Sequence, residues 1–433
     1  MTSTQFARQP ARAAAAAFIG TMIEWYDFYI YATASALIFG KLFFPMSSPF
    51  VSTMASLGTF AAGFFARPIG GVVFGHWGDR VGRKKALMVT LVMMGVATVG
   101  IGLLPGYASA GVVAPVLLIA LRLFQGIAVG GEWGGAVLMA SEHAPAGRRT
   151  FLASFAQLGS PAGLILSLLF FRAVSNLSEA DFLSWGWRLP FLSSAVLLAV
   201  GFYIRVGVAE SPEFARLVEN ERTAKLPAVE VMRTAWRTVA LCMGVCTVAI
   251  GGIYFTNTFM LSYTTQTLGL DRKLILDCLF IVALLQLCVQ PLAASLAEKF
   301  GTARLLKGAA FASVFAPYPM FMLVQTGRAP LIVAGIGITL TFMAAIYSAM
   351  AGFLSNAFET RVRYSGISLS YQLCGAIAGG LTPLVGTLLA HRFPGTWLPL
   401  ALFYSLLSSI TLLSIARLDA STRSRAAIGA VTP

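Results

Sequence analysis

Residues 75–85 read Gly75-His76-Trp77-Gly78-Asp79-Arg80-Val81-Gly82-Arg83-Lys84-Lys85, a short polar hinge dense in bases. Apolar runs flank it, 51–76 before and 86–105 after, each long enough to cross a bilayer, for which about 20 residues suffice. Outward from this hinge the alternation continues. Runs at 14–40, 112–138, 150–173 and 187–207 complete a first half, and runs at 238–264, 274–297, 305–325, 330–355, 366–390 and 397–416 make a second. Composition agrees, because 57% of the 433 residues are hydrophobic and 11% charged, where a soluble domain carries about a quarter charged residues. The expected fold is all-α and membrane-embedded, with twelve spans and no stretch polar enough for a separate catalytic domain. Ala13–Gly20 has the look of a signal core, but Glu24 to Asp27 follow and the apolar pattern resumes, so it reads as part of a retained helix.

The hinge recurs after the eighth run. Glu298 stands for Asp79, Lys299 for Arg80, Gly301 for Gly82 and Arg304 for Lys85, and at a nearly equal offset Gly375 and Gly379 answer Gly159 and Gly163. Matching motifs at one offset mark an internal duplication, hence two pseudo-symmetric six-helix bundles: residues 1–207 and 238–433, the second with a short tail. Residues 208–237 between them form a charged cytoplasmic linker, where Ser211, Pro212 and Glu213 suit the start of a surface helix. Facing repeats of this kind build secondary transporters around a midplane site.

The net charge of +14 invites a nucleic-acid reading, but its distribution rejects it. With the first run starting inside, about 22 of the 31 Lys and Arg fall on one side, the positive-inside pattern. Both termini are then cytoplasmic. The five cysteines sit in apolar runs and the three histidines are far apart, so neither a disulfide framework nor a metal site is expected.

Several motifs carry a family resemblance. Gly75 to Lys85 resembles the loop signature of the major facilitator superfamily, and Arg122-Leu123-Phe124-Gln125-Gly126 with Gly130 resembles its fourth-helix motif. Glu24 to Tyr29, Ala66 to Gly71, Gly130 to Gly135 and Trp185 to Phe191 are similar to the metabolite:proton symporter family, whose members carry shikimate, α-ketoglutarate, citrate, and proline or betaine. The resemblance is strong over residues 15–215. The second half keeps the layout and loses motif residues, with Thr302 and Ala303 where the first has Arg83 and Lys84. What the resemblance implies is alternating access driven by a proton gradient, without a cofactor. It also implies a gate at Asp79, Arg80 and Arg83, in the first loop only.

Ionisable groups inside spans cost about 3 kcal/mol at mid-membrane and so point to function. Glu24 and Asp27 share a face of the first span, and Arg122, Gln125 and Glu132 form a stripe on the fourth. At 1.5 Å per residue, Asp27 lies about 20 Å from one end of its span and Arg122 about 15 Å from the end of the fourth, both near the midplane. The expected arrangement has Arg122 holding a substrate carboxylate and Asp27 binding the proton. Burial penalises an ionised carboxylate and a neighbouring guanidinium supports it, so a substrate anion on Arg122 withdraws that support and Asp27 takes a proton. The alternative is an acid–base pair that only braces the two spans. Glu132 and Glu24 are further proton-site candidates, and Arg67, beside Pro68, is either a substrate ligand, a partner for Glu132 at an inner gate, or a brace. Neutral candidates for the substrate are Gln125, Gln157, Tyr254, Asn257, Tyr347 and Gln372, with Thr258 and Tyr371 beside them. Gly126, Gly130 and Gly134, four apart, suit close helix packing.

The reading is proton-coupled uptake of a small organic acid, shikimate-like or another small carboxylate, by a monomer in the lipid of a prokaryotic inner membrane. Its partners are the metabolite and H+, with no nucleic acid. A symporter of a zwitterion such as proline or betaine is the alternative. ATP-driven pumping lacks its phosphate loop, since Gly40-Lys41 runs into Leu42. A membrane-embedded enzyme is more distant, because no nucleophile, base or metal set converges.

Overall fold

The computed structural model describes residues 3–46, 48–81, 83–130, 132, 149–207, 227–355, 357–358 and 363–429, and within these it holds helices and no strand. The first half contributes α1 (Ser3–Leu37), α2 (Pro49–Val81), α3 (Arg83–Leu103), α4 (Val113–Gly130), α5 (Arg149–Val174) and α6 (Arg188–Val206). The second contributes α7 (Trp236–Tyr254), α8 (Arg272–Phe300), α9 (Thr302–Phe315), α10 (Ala329–Ser355), α11 (Arg363–Cys374) and α12 (Leu398–Gly429). Ten helices are long and apolar enough to cross a bilayer, and α9 with its continuation Pro317–Val324 makes eleven. The 35-residue α1 completes the expected twelve. Lipid offers no partner to a backbone amide, so only helices and closed barrels can span it. The apolar runs therefore decided the architecture.

Four departures from regular helix were not expected, the first a π-turn at Phe182–Gly186 ahead of α6. Residues Phe255–Phe259 and Tyr263–Thr267 prolong α7 as π-turns, and Gly375–Gly379 does the same between α11 and its continuation Gly380–Arg392. A π-turn fits an extra residue into a helix, and such turns recur at functional sites. The bend of 43° between α9 and Pro317–Val324 has a simpler cause: Pro317 has no amide hydrogen to bond into the preceding turn.

The chain gathers into two compact units, residues 1–225 with 261–287 and residues 226–260 with 288–433. In the first, α1 packs along α5 and α6, α2 along α4, and α3 against α4 and α6. In the second, α7 packs along α11 and α12, and α9 against α10 and α12. Pairings 1–5, 1–6, 3–4 and 3–6 thus recur as 7–11, 7–12, 9–10 and 9–12, the spatial counterpart of the duplicated motifs. The first unit also ties in 261–287 through polar contacts. The Gln266 Nε2 donates to the Ala36 carbonyl at 2.8 Å and its Oε1 accepts from Thr53 at 3.1 Å. Asp277 of α8 pairs with Arg172 of α5 at 2.6 Å.

Glycine spacing sets the approach of α2 to α4. A Cβ on Gly126 would overlap the Gly63 carbonyl, one on Gly130 the Arg67 carbonyl, and one on Gly70 the Ile127 carbonyl. Backbone meets backbone here, so no side chain can swing aside. Gly70→Ala is expected to cost at least about 1–3 kcal/mol, the range for overpacking. Its check is the thermal midpoint and size-exclusion profile of purified protein, and a profile like the parent's would refute backbone contact at this point.

Candidate functional site

Four helices of the first unit converge on Asp27. Its side chain is fully buried, and each oxygen accepts from a different helix: Oδ1 from Ser194 of α6 at 2.5 Å and Oδ2 from Thr98 of α3 at 2.8 Å. Thr98 in turn accepts from the Gln125 Nε2 of α4 at 2.8 Å, and Gln125 Oε1 accepts from Arg122 Nη1. Arg122 and Asp27 are thereby joined through two neutral side chains. This refines the expectation of an interaction between them, since Gln125 acts here as a link in the chain. Thr98 and Ser194 were not singled out in the sequence.

Arg122 is also fully buried, walled by aromatic rings. Its Cζ lies 4.1 Å from the Tyr31 ring centroid, 4.3 Å from Phe28 and 5.3 Å from Phe60. Such contacts contribute about 2 kcal/mol or more when water is excluded. Room for the guanidinium is left by Gly63, where a Cβ would come 2.9 Å from Arg122 Cδ and 3.0 Å from its Cζ. Arg67 shares the Phe28 ring, at 4.0 Å, and reaches Phe64 at 4.2 Å.

A second ionic cluster lies in the same unit. Glu132 forms a buried salt bridge with Arg205 of α6, which also donates to the Leu87 carbonyl. So Glu132 takes Arg205 rather than Arg67 as its ion-pair partner, and Arg205 is a residue to which the sequence reading gave no role. Glu24 stands in the field of Glu132, Arg67 and Arg205. Its Oε2, like the Oε2 of Glu132 and the Nε of Arg67, has no hydrogen-bond partner among the described residues. Two acids and two bases here nearly neutralise one another, which lowers the cost of burying each.

The neutral candidates are all buried. In the first unit, Gln157 leaves its Nε2 without a hydrogen-bond partner among the described residues. In the second, Asn257 and Thr258 fall on the first π-turn of α7, and neither Asn257 amide atom has a hydrogen-bond partner among the described residues. Tyr254 precedes that turn, and the Tyr347 and Tyr371 hydroxyls are 3.4 Å apart with Gln372 adjoining. Gln286 and Gln290, one turn apart on α8, are also buried with all four amide atoms lacking hydrogen-bond partners among the described residues. Their spacing of four could have flagged them in the sequence. The Asp79, Arg80 and Arg83 side chains lie outside the described residues, as do Gly134 and the surface helix expected from Ser211. Among the described residues no group of His, Cys, Asp or Glu is arranged to hold a metal.

A twelve-helix membrane protein with buried, linked charges is the arrangement of a carrier, and comparison with known proteins identifies its kind. The family described as Sugar (and other) transporter matches residues 13–228. The shikimate transporter of Escherichia coli is 37% identical over 397 residues, covering 90% of each chain. The inner membrane metabolite transport protein YhjE of the same organism is 38% identical over 384 residues and 87% of each. The proline/betaine transporter of Escherichia coli is 33% identical over 400 residues, 90% of this chain and 79% of that one. A solved structure of the proton:xylose symporter XylE shares the fold, with a TM-score of 0.76, 16% identity and 95% of both chains covered. The chain belongs to the major facilitator superfamily and, within it, to the metabolite:proton symporters. It is a multi-pass inner-membrane protein of a transporter family.

Proposed function

We propose that this chain takes up a small organic acid together with a proton, the acid's carboxylate on Arg122 and the proton on Asp27. The observation that supports it is the buried chain from Arg122 through Gln125 and Thr98 to Asp27. It puts a cation suited to a carboxylate and a carboxylate suited to a proton in one hydrogen-bonded network. Neutral amides and hydroxyls at Gln157, Tyr254, Asn257, Tyr347 and Gln372 suit the hydroxyl groups of a shikimate-like solute. The proton gradient is the only co-reactant this scheme requires. Both termini are cytoplasmic on the charge bias, the six-helix bundles 1–207 and 238–433 alternate around the linker 208–237, and Asp79, Arg80 and Arg83 gate the cytoplasmic side.

A zwitterion symporter is the second reading. The relative named as a proline/betaine transporter and the buried carboxylates of Glu24 and Glu132 favour it, since acids would hold a cationic end. Counterflow of labelled shikimate and labelled betaine in proteoliposomes, at two pH values, separates the two. Shikimate exchange without betaine exchange is expected, and the converse would reject the organic-acid reading.

A further inference from the structure

The directions of the hydrogen bonds between Arg122 and Asp27 are fixed by chemistry. A guanidinium only donates, so the Gln125 atom it meets is the carbonyl oxygen and the amide nitrogen is left to face Thr98. That nitrogen donates, so Thr98 spends a lone pair on it. The single hydroxyl proton of Thr98 then has two acceptors in reach, Asp27 Oδ2 at 2.8 Å and the Met94 carbonyl of its own helix at 2.9 Å.

We propose that Thr98 is the coupling element of the carrier, the direction of its O–H bond passing the protonation state of Asp27 to Gln125 and thence to Arg122. The inference rests on the proton and substrate roles given above to Asp27 and Arg122. With Asp27 ionised, every bond runs one way, from Arg122 to Gln125 to Thr98 to the carboxylate, and each polarises the next. A proton arriving from water settles on Oδ2. The hydroxyl of Ser194 has no other acceptor among the described residues, so Oδ1 goes on accepting from it. The new Asp27 O–H donates to Thr98, and the Thr98 proton turns to Met94. Thr98 now accepts twice and no longer donates to an anion, so its hold on Gln125 weakens and Arg122 is released toward a substrate carboxylate. Proton and anion favour each other's binding, necessarily by equal factors.

The charged and titratable groups about Asp27 are Glu24 and Tyr26 on α1, Arg122 on α4 and Glu132 past the end of α4, while α3 and α6 present the hydroxyls of Thr98 and Ser194. Thr98 is a positioning residue, and a substitution that keeps its shape isolates its proton. The test uses full-length protein in nanodiscs, with shikimate as the probe, or betaine if counterflow selects it. Affinity is measured on the acid and alkaline sides of neutrality, and Asp27 protonation is followed by the infrared carboxyl band that Asp27→Asn removes.

The parent is expected to bind about 5-fold or more tightly on the acid side, Thr98→Val to lose all but about 2-fold of that dependence while the Asp27 band still titrates, and Thr98→Ser to restore it. Gln125→Met cuts the chain one link away and should flatten the dependence as well, so the outcome does not hang on folding of the valine variant. Retention of the parent's pH dependence by Thr98→Val or by Gln125→Met, or a serine variant as flat as the valine one, would overturn the role of Thr98. An Asp27 band that never titrates in the parent would overturn the proton-site reading itself.

Discussion

Asp27→Asn is expected to exchange labelled solute across a liposome membrane and to fail to concentrate it. One pH unit across the membrane is about 1.4 kcal/mol per proton, and therefore about tenfold accumulation if one proton accompanies each solute. The variant should fall to a ratio of one. The amide fits the site, since Thr98 can turn to Met94 and leave its oxygen to accept, so folding and solute binding survive while the titrating group is gone. Uphill accumulation at the parent's level, with an imposed pH gradient, would remove Asp27 from the proton pathway. Accumulation that persists here and vanishes in Glu132→Gln would move the proton to the second cluster.

Arg122→Lys should weaken carboxylate binding by about 10- to 100-fold, because a charged hydrogen bond contributes about 1.5–3 kcal/mol and an ammonium cannot meet both oxygens of a carboxylate in one plane. Keeping the positive charge spares the site an unbalanced Asp27. The lysine also loses flat contact with Tyr31 and Phe28. Equilibrium binding of shikimate to the folded variant is the check, with thermal midpoints measured alongside. An affinity within about threefold of the parent's would mean that Arg122 braces α1 and α4 and carries no substrate.

How much of this was legible in the sequence follows from what water and lipid each demand. The twelve helices could be read because a span has to be apolar over about 20 residues, and that pattern survives any detail of packing. Asp27 and Arg122 were legible for the opposite reason, as charges where charge is costly. Thr98 and Ser194 were not, because a hydroxyl in a helix satisfies itself on the preceding turn, as Thr98 can on Met94, and so costs little in any span. Arg205 hid in another way. Near the end of α6 it reads as a base that anchors the span, and only the fold brings it to Glu132. The spacing of Gly126 and Gly130 announced a close helix contact, but their partner surface, Gly63 to Gly70 on α2, depends on which helices become neighbours. The π-turns of α7 and α11 have no periodicity by which to find them, since one extra residue leaves the apolar pattern unchanged.

The aromatic enclosure of Arg122 has a thermodynamic side. A solvated arginine surrenders about 2 kcal/mol of rotamer freedom when a ligand immobilises it. Held among Phe28, Tyr31 and Phe60 and by Gln125, this one has already given up that freedom on folding. The solute therefore meets a pre-organised cation and does not bear the ordering cost itself. A small molecule with few atoms to contribute can then still reach a useful affinity.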